Sequence, residues 1–169
     1  MIGLKRNTVK LIPHQKEWID IYKETESELR RLLQEEVQTI VHIGSTAIKD
    51  IVAKPIIDIA VAIESFEKLD KIQKKLIQNN YEDRGEKIGG HLFVKRKEDL
   101  TTHHIHFVLS SGKRYRDYIF FKKKLNADSN LRKQYSELKQ KMATAHPKNR
   151  GEYTNAKNEF IRKILMMFK

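Results

Sequence analysis

The chain has 169 residues, with 34 Lys/Arg against 22 Asp/Glu for a formal net charge of +12, 39% hydrophobic residues and no cysteine. The absence of Cys excludes disulfides, thiolate zinc sites and cysteine nucleophiles. No apolar run approaches the roughly 18 residues of a membrane span, and the first residues lack the apolar stretch of a secretory leader. The expectation is a soluble cytoplasmic protein of one domain.

The charge is unevenly placed. Residues 1–109 hold 18 Lys/Arg and 17 Asp/Glu, whereas residues 110–169 hold 16 and 5, a net +11. A basic C-terminal third beside a near-neutral body points to an anionic partner: a nucleotide, a nucleic acid or an acidic surface. Lysine-rich helices that are merely well solvated give the same composition.

In chain order, Val9-Lys10-Leu11-Ile12 reads as a short opening strand or an extended arm. Pro13 sets up a helix through about Glu35, striped by Trp18, Ile21, Tyr22, Leu29, Leu32 and Leu33 at helical spacing. Residues 37–43 predict a strand ending at Gly44. Residues 46–55 form a loop closed by Pro55, and residues 56–63 a second strand. Strand alternation puts Ile57, Ile59, Val61 and Ile63 on one apolar face, and Ile56, Asp58, Ala60 and Ala62 on the other. Ser65 caps a helix carrying Leu69, Ile72 and Leu76, which Asn79-Asn80 ends.

Tyr81 to Lys87 and His91 to Arg96, on either side of Gly89-Gly90, predict a hairpin. The next strand runs from His103 to Leu109. His103, Ile105, Phe107 and Leu109 share one face, and His104, His106 and Val108 the other. Three helices follow Gly112. The first is striped by Tyr115, Tyr118, Ile119 and Leu125. The second is capped by Asp128 or Ser129 and striped by Leu131, Tyr135, Leu138 and Met142. His146-Pro147 breaks it, and the last runs from about Gly151 through Phe168. The class is α+β: a small mixed sheet flanked by helices, with a helical C-terminal part. We expect a single domain over 1–169, with an α/β core at 1–110 and a basic helical part at 111–169.

Three groups of residues carry chemistry. Gly44, Ser45 and Thr46 form a turn able to cradle an anion, through close backbone approach at Gly44 and two hydroxyl donors; an ordinary turn has the same composition. It is not a Walker loop, because the Gly-Lys-Ser/Thr ending is absent. Asp58, an acid on an otherwise apolar strand, fits a metal ligand or a general base, or equally a structural carboxylate paired with Lys54. His104 and His106, two apart on one strand face, can ligate a metal together, or one can act as an acid/base group. Solvated polar residues give the same alternation. Lys54 can neutralise a phosphate, and His103 lies on the apolar face as a packed histidine.

A Gly-Ser turn, about a dozen residues and then an apolar acidic strand resemble the nucleotidyltransferase fold of the DNA polymerase β superfamily. More narrowly, His42-Ile-Gly-Ser-Thr-Ala through Ala53-Lys-Pro-Ile-Ile-Asp58-Ile resembles the GrpB family. Leu11-Ile-Pro-His-Gln-Lys-Glu-Trp18, Thr102-His103-His104-Ile-His106-Phe-Val, Tyr135-Ser-Glu-Leu-Lys139 and Tyr153-Thr-Asn-Ala-Lys157 extend that resemblance over nearly the whole chain.

The resemblance implies a nucleotide-sized cleft. The triphosphate would sit at the Gly-Ser turn, and two magnesium ions would be held by carboxylates at i and i+2 on the next strand plus a third on a neighbouring strand. This chain departs from that pattern. The i+2 position is Ala60, and the neighbouring strand offers His104 and His106. The family often has Phe-Arg-Asp in the first basic helix, where this chain reads Phe121-Lys122-Lys123.

The expectation is therefore a nucleotidyltransferase-fold protein that binds a nucleotide or another phosphorylated small molecule. Phosphates would contact Gly44, Ser45, Thr46, Lys54 and Lys157. Asp58, His104 and His106 would hold one divalent metal (Mg, Mn or Zn) or serve as catalytic groups. Nucleotidyl or phosphoryl transfer is the reaction that fits. A nucleic-acid- or ligand-binding module without catalysis and a metal-dependent phosphoesterase are the alternatives.

Overall fold

The computed structural model describes residues 1–168. Its centre is a six-stranded mixed sheet built from β1 (Leu4–Lys5), β2 (Thr39–Ile43), β3 (Ile57–Ile63), β4 (Tyr81–Lys87), β5 (Gly90–Lys97) and β6 (Leu100–Leu109). The order is β2-β3-β6-β5-β4, with β1 paired to the start of β6. The β3–β6 ladder is parallel and the others are antiparallel. Five helices accompany the sheet: α1 (Trp18–Leu33), α2 (Leu69–Gln78), α3 (Lys113–Ala127), α4 (Ser129–Ala145) and α5 (Arg150–Leu165).

The alternation read from the sequence becomes two faces with different neighbours. Ile57, Ile59, Val61 and Ile63 pack with Phe93, Ile105 and Phe107 against Trp18, Tyr22, Leu29 and Leu33 of α1 and Ile72 and Leu76 of α2. This is the main core, and burying branched side chains on β3 supplies much of its stabilisation. On the opposite face Ile43, Ala60 and Val108 meet Tyr115 and Tyr118 of α3. A second apolar cluster joins Ile48 and Ile51, in the loop after β2, to Leu125, Tyr135 and Ile164. The C-terminal helices thus pack on that loop.

Side chains stitch the same contact. Asn126 Nδ2 donates to the Ala47 carbonyl and its Oδ1 accepts from the Lys49 amide, both at 3.1 Å, while Ser136 Oγ accepts from the Val52 amide at 3.2 Å. These bonds hold α3 and α4 over the segment that leads from the Gly-Ser turn to β3.

The caps follow the sequence. Ser65 Oγ accepts from the Glu67 amide and opens a short 3-10 turn before α2. Asp128 accepts from the Leu131 amide at the start of α4, and Asn149 from the Glu152 amide at the start of α5.

Some expected boundaries differ. The opening strand is Leu4–Lys5, not Val9–Ile12, where Ile12 makes a single bridge to Ala53. A two-residue strand has no periodicity to read. The first helix begins at Trp18, after a turn, and gives way to a 3-10 turn at Gln34–Glu36. The last helix ends at Leu165, so the exposed Met166, Met167 and Phe168 lie outside it.

Candidate functional site

Register is the origin of the site. In the parallel β3–β6 ladder Asp58 stands opposite His104 and Ala60 opposite His106. Side chains opposite each other share a face, so the acid and both imidazoles point to the side away from the main core. Asp58 Oδ1 is 3.0 Å from His104 Nδ1 and 3.3 Å from His106 Nε2. One ligand atom from each of the three residues lies within 4.8 Å of the other two. Burial alone would push the Asp58 carboxyl up, but the hydrogen bonds and charges of His104 and His106 outweigh it and hold the group well below the usual carboxylate range.

The Gly-Ser turn is fitted against this acid. Gly44 has φ +69°, and Cβ added there would lie 2.7 Å from Asp58 Oδ2. Glycine is required on both counts: the backbone is in a region that L side chains rarely adopt, and the carboxylate occupies the space. Ile43 pairs with Asp58 across the β2–β3 ladder, which brings the turn to the acid. Ser45–Ala47 then form a single 3-10 turn.

One cavity of about 520 Å3 collects these groups. Gly44, Ser45, Thr46, Lys54, Asp58, His104, His106 and Lys157 all line it, so every position singled out in the sequence borders one space. Thr46 differs in detail: it is buried, and its hydroxyl is 2.9 Å from His42 Nε2, which ties the turn to β2. His42 itself stacks on Tyr22, and burial, then the nearby Lys122, lowers it to about 4. Lys122 donates to the His42 carbonyl at 2.9 Å, anchoring α3 behind the turn. His103, on the core face as expected, is buried and bonded to Thr25 Oγ1 at 3.1 Å.

The rest of the wall was not legible beforehand. Arg114, Asp117, Tyr118 and Phe121 of α3, Tyr135 of α4, and Tyr153 and Asn158 of α5 complete the lining. Tyr118 lies 5.7 Å from His106, ring to ring. Tyr135 lies close enough to the Ser45 side chain for it to oppose the shift, yet burial raises its phenol to about 12. Lys54 and Lys157 lie over the Tyr153 ring at 5.1 and 4.7 Å from its centroid. Tyr115-Arg116-Asp117, six residues before Phe121-Lys122-Lys123 in the same helix, is an aromatic-Arg-Asp triple, and its Asp117 borders the cavity.

The donor set decides which metal chemistry fits. A cage for two magnesium ions needs a second carboxylate two residues after Asp58. That position is Ala60, fully buried and packed with Ile43 and Val108. The residues present do not fit that cage. One carboxylate and two imidazoles do fit a single borderline cation such as Zn²⁺ or Mn²⁺.

Solved structures share the fold. The fold matches the Cid1 poly(U) polymerase, in its H336N mutant bound to MgATP, with a TM-score of 0.54 at 16% identity over 76% of this chain and 45% of that one. It also matches a cytoplasmic RNA terminal U-transferase, with a TM-score of 0.53 at 14% identity over 86% and 48%. The architecture is that of the nucleotidyltransferase-like proteins.

Within that class the match narrows. The model of the GrpB protein family covers residues 8–166. The glutamate-rich protein GrpB of Alkalihalophilus pseudofirmus is 34% identical over 98% of both chains. The crystal structure of GrpB from Enterococcus faecalis superposes with a TM-score of 0.85 at 30% identity, over 93% of this chain and 95% of that one. The chain belongs to the GrpB family. It spans 46% of another relative, YqkA of Bacillus subtilis, at 29% identity.

Proposed function

We propose that the cleft binds a nucleotide or another phosphorylated small molecule together with one divalent cation held by Asp58, His104 and His106. The observation that carries this reading is convergence: an anion-cradling turn, two lysines and an Asp/His/His group border one cavity of about 520 Å3. That size is within the range of small-molecule sites.

In this reading the Ser45 hydroxyl and the backbone of the Gly44–Ser45 turn donate to phosphate oxygens, and Lys54 and Lys157 neutralise their charge. Asp58 supplies the anionic ligand, its protonation opposed by both histidines. Tyr118 and Phe121 shield the reacting end from water. A divalent ion bound there supplies Lewis-acid polarisation of a phosphoryl oxygen. Phosphoryl or nucleotidyl transfer is the reaction class the arrangement supports. Phosphoester hydrolysis on the same groups differs in its product, free phosphate or a nucleoside monophosphate in place of an adduct.

Calorimetric titration with ATP, with and without Mn²⁺, tests the reading. We expect saturable binding strengthened by Mn²⁺, and no Mn²⁺ effect in Asp58→Ala. Absence of ATP binding at about millimolar ligand contradicts it.

A second reading rests on the net +11 of residues 110–169. In it the outer surfaces of α3 to α5 bind nucleic acid through phosphates, independently of Asp58.

A further inference from the structure

Lys139 has a placement that the reading above leaves unused. It lies on α4 with 1% of its surface exposed. Lysines are seldom buried so fully unless a carboxylate pairs with them. Among the described residues its polar partner is the Val52 carbonyl, in the loop before β3. Its Nζ is 4.7 Å from the centroid of Tyr135, four residues back on the same helix.

The arrangement occurs twice. On α5 Lys157 lies 4.7 Å over Tyr153, again four residues back, and Lys54 approaches the same ring at 5.1 Å. Two Tyr-x-x-x-Lys turns, on helices in contact with each other, therefore place Lys157 beside Lys54 on the cleft, with Lys139 buried outside its lining. Tyr135 also lies close to Ser45 of the Gly-Ser turn.

Tyr135 of α4 and the Val52 carbonyl contact Lys139, and Lys157 of α5 and Lys54 of the loop are the charged groups that act on it. The two charged ones are both cations. Burial first, then repulsion by Lys157 and Lys54, lowers the Lys139 amine to about 6. The protein thus keeps a third amine beside two ammonium groups without the third charge.

We infer that Lys54 and Lys157 form a subsite for a multiply charged phosphate group, and that the group enters with uptake of one proton by the buried Lys139 amine behind it. The inference rests on the phosphate-binding reading above and deepens it. An anion against Lys54 and Lys157 cancels the repulsion that keeps Lys139 neutral, so a dianion gains a third cation that a monoanion cannot stabilise as well. The proton comes from solvent, the N–H bond forms on the Lys139 lone pair, and the ammonium gains attraction to the Tyr135 ring. Affinity then falls as pH rises, by up to about tenfold per pH unit between the free and bound values of the amine.

The test is calorimetry of metal-free protein with sulfate, a dianion whose own charge is constant near neutrality, in two buffers of different protonation enthalpy. At about pH 7.5 we expect uptake approaching one proton per sulfate bound. Acetate should bind at least about tenfold more weakly, with little uptake. Lys139→Met should bind sulfate more weakly and take up no proton. Wild-type uptake decides the matter even where that variant fails to fold. Sulfate binding without proton uptake, uptake that persists in Lys139→Met, or equal behaviour of acetate overturns the inference while leaving phosphate binding standing. No binding of sulfate or ATP overturns both.

Discussion

At Gly44 a single added methyl group does damage in two ways. Alanine there must hold φ near +69° and place Cβ 2.7 Å from the Asp58 carboxylate. The backbone strain costs about 1–3 kcal/mol, and the carboxylate must move from both histidines. Gly44→Ala should lower unfolding stability by that amount in denaturant titration and weaken divalent-ion binding as well. A second residue-scale expectation concerns acid. Burial lowers His42 and His103 from 6.5 to about 4, so both are neutral in the folded protein. Their contribution to stability is present above pH 6.5 and is lost as pH falls from there toward 4, at up to about 1.4 kcal/mol per unit for each. Asp58, held low, contributes its loss only below the usual carboxylate range. Unfolding midpoints measured from neutrality down to about pH 4.5 should fall steadily, with a shallower slope in His103→Gln. A flat profile contradicts the buried neutral histidines.

At the scale of elements, the strands of the site were legible because alternation is a period-2 signal and a lone Asp or a His-x-His breaks it on one face only. What alternation does not encode is which strand lies beside which. The parallel β3–β6 register, Asp58 against His104, comes from the path through α2, β4 and β5. The helical wall was harder to read for a different reason. Lys139 and Lys157 sit among many lysines, and a lysine four residues from a tyrosine reads as a solvated helix face. Only the packing of α4 and α5 on the loop before β3 makes Lys139 buried. Asp117 escaped because it lies in a basic helix, where no strand alternation marks it. The helices that form this wall depend on their caps. Asp128→Ala should cost about 1 kcal/mol in denaturant titration, by freeing the Leu131 amide at the start of α4. Asn149→Ala should act similarly on α5. An unchanged midpoint in both contradicts the capping assigned here.

For the whole molecule, charge and cleft make separable demands. Most of the basic residues behind the net +11 of residues 110–169 lie in the helices that wall the cleft. If the outer surface binds nucleic acid, affinity for a single-stranded oligonucleotide should fall by orders of magnitude between about 50 and 200 mM salt and survive Asp58→Ala. Weak, salt-insensitive binding assigns the cations to the cleft alone. Among the described residues no helix is long and apolar enough to cross a membrane. The GrpB relatives and the nucleotidyltransferase-like neighbours share the sheet and its flanking helices. In this chain Ala60, with His106 opposite, stands two residues after Asp58, so the cleft offers one carboxylate and two imidazoles.

That ligand set is the core of the account, and equilibrium dialysis against Mn²⁺ and Zn²⁺ with metal analysis of the retained protein measures it directly. The account predicts about one ion per chain, with affinity reduced by about 100-fold or more in Asp58→Ala and in His104→Ala. No retained ion, or wild-type affinity in Asp58→Ala, would contradict it.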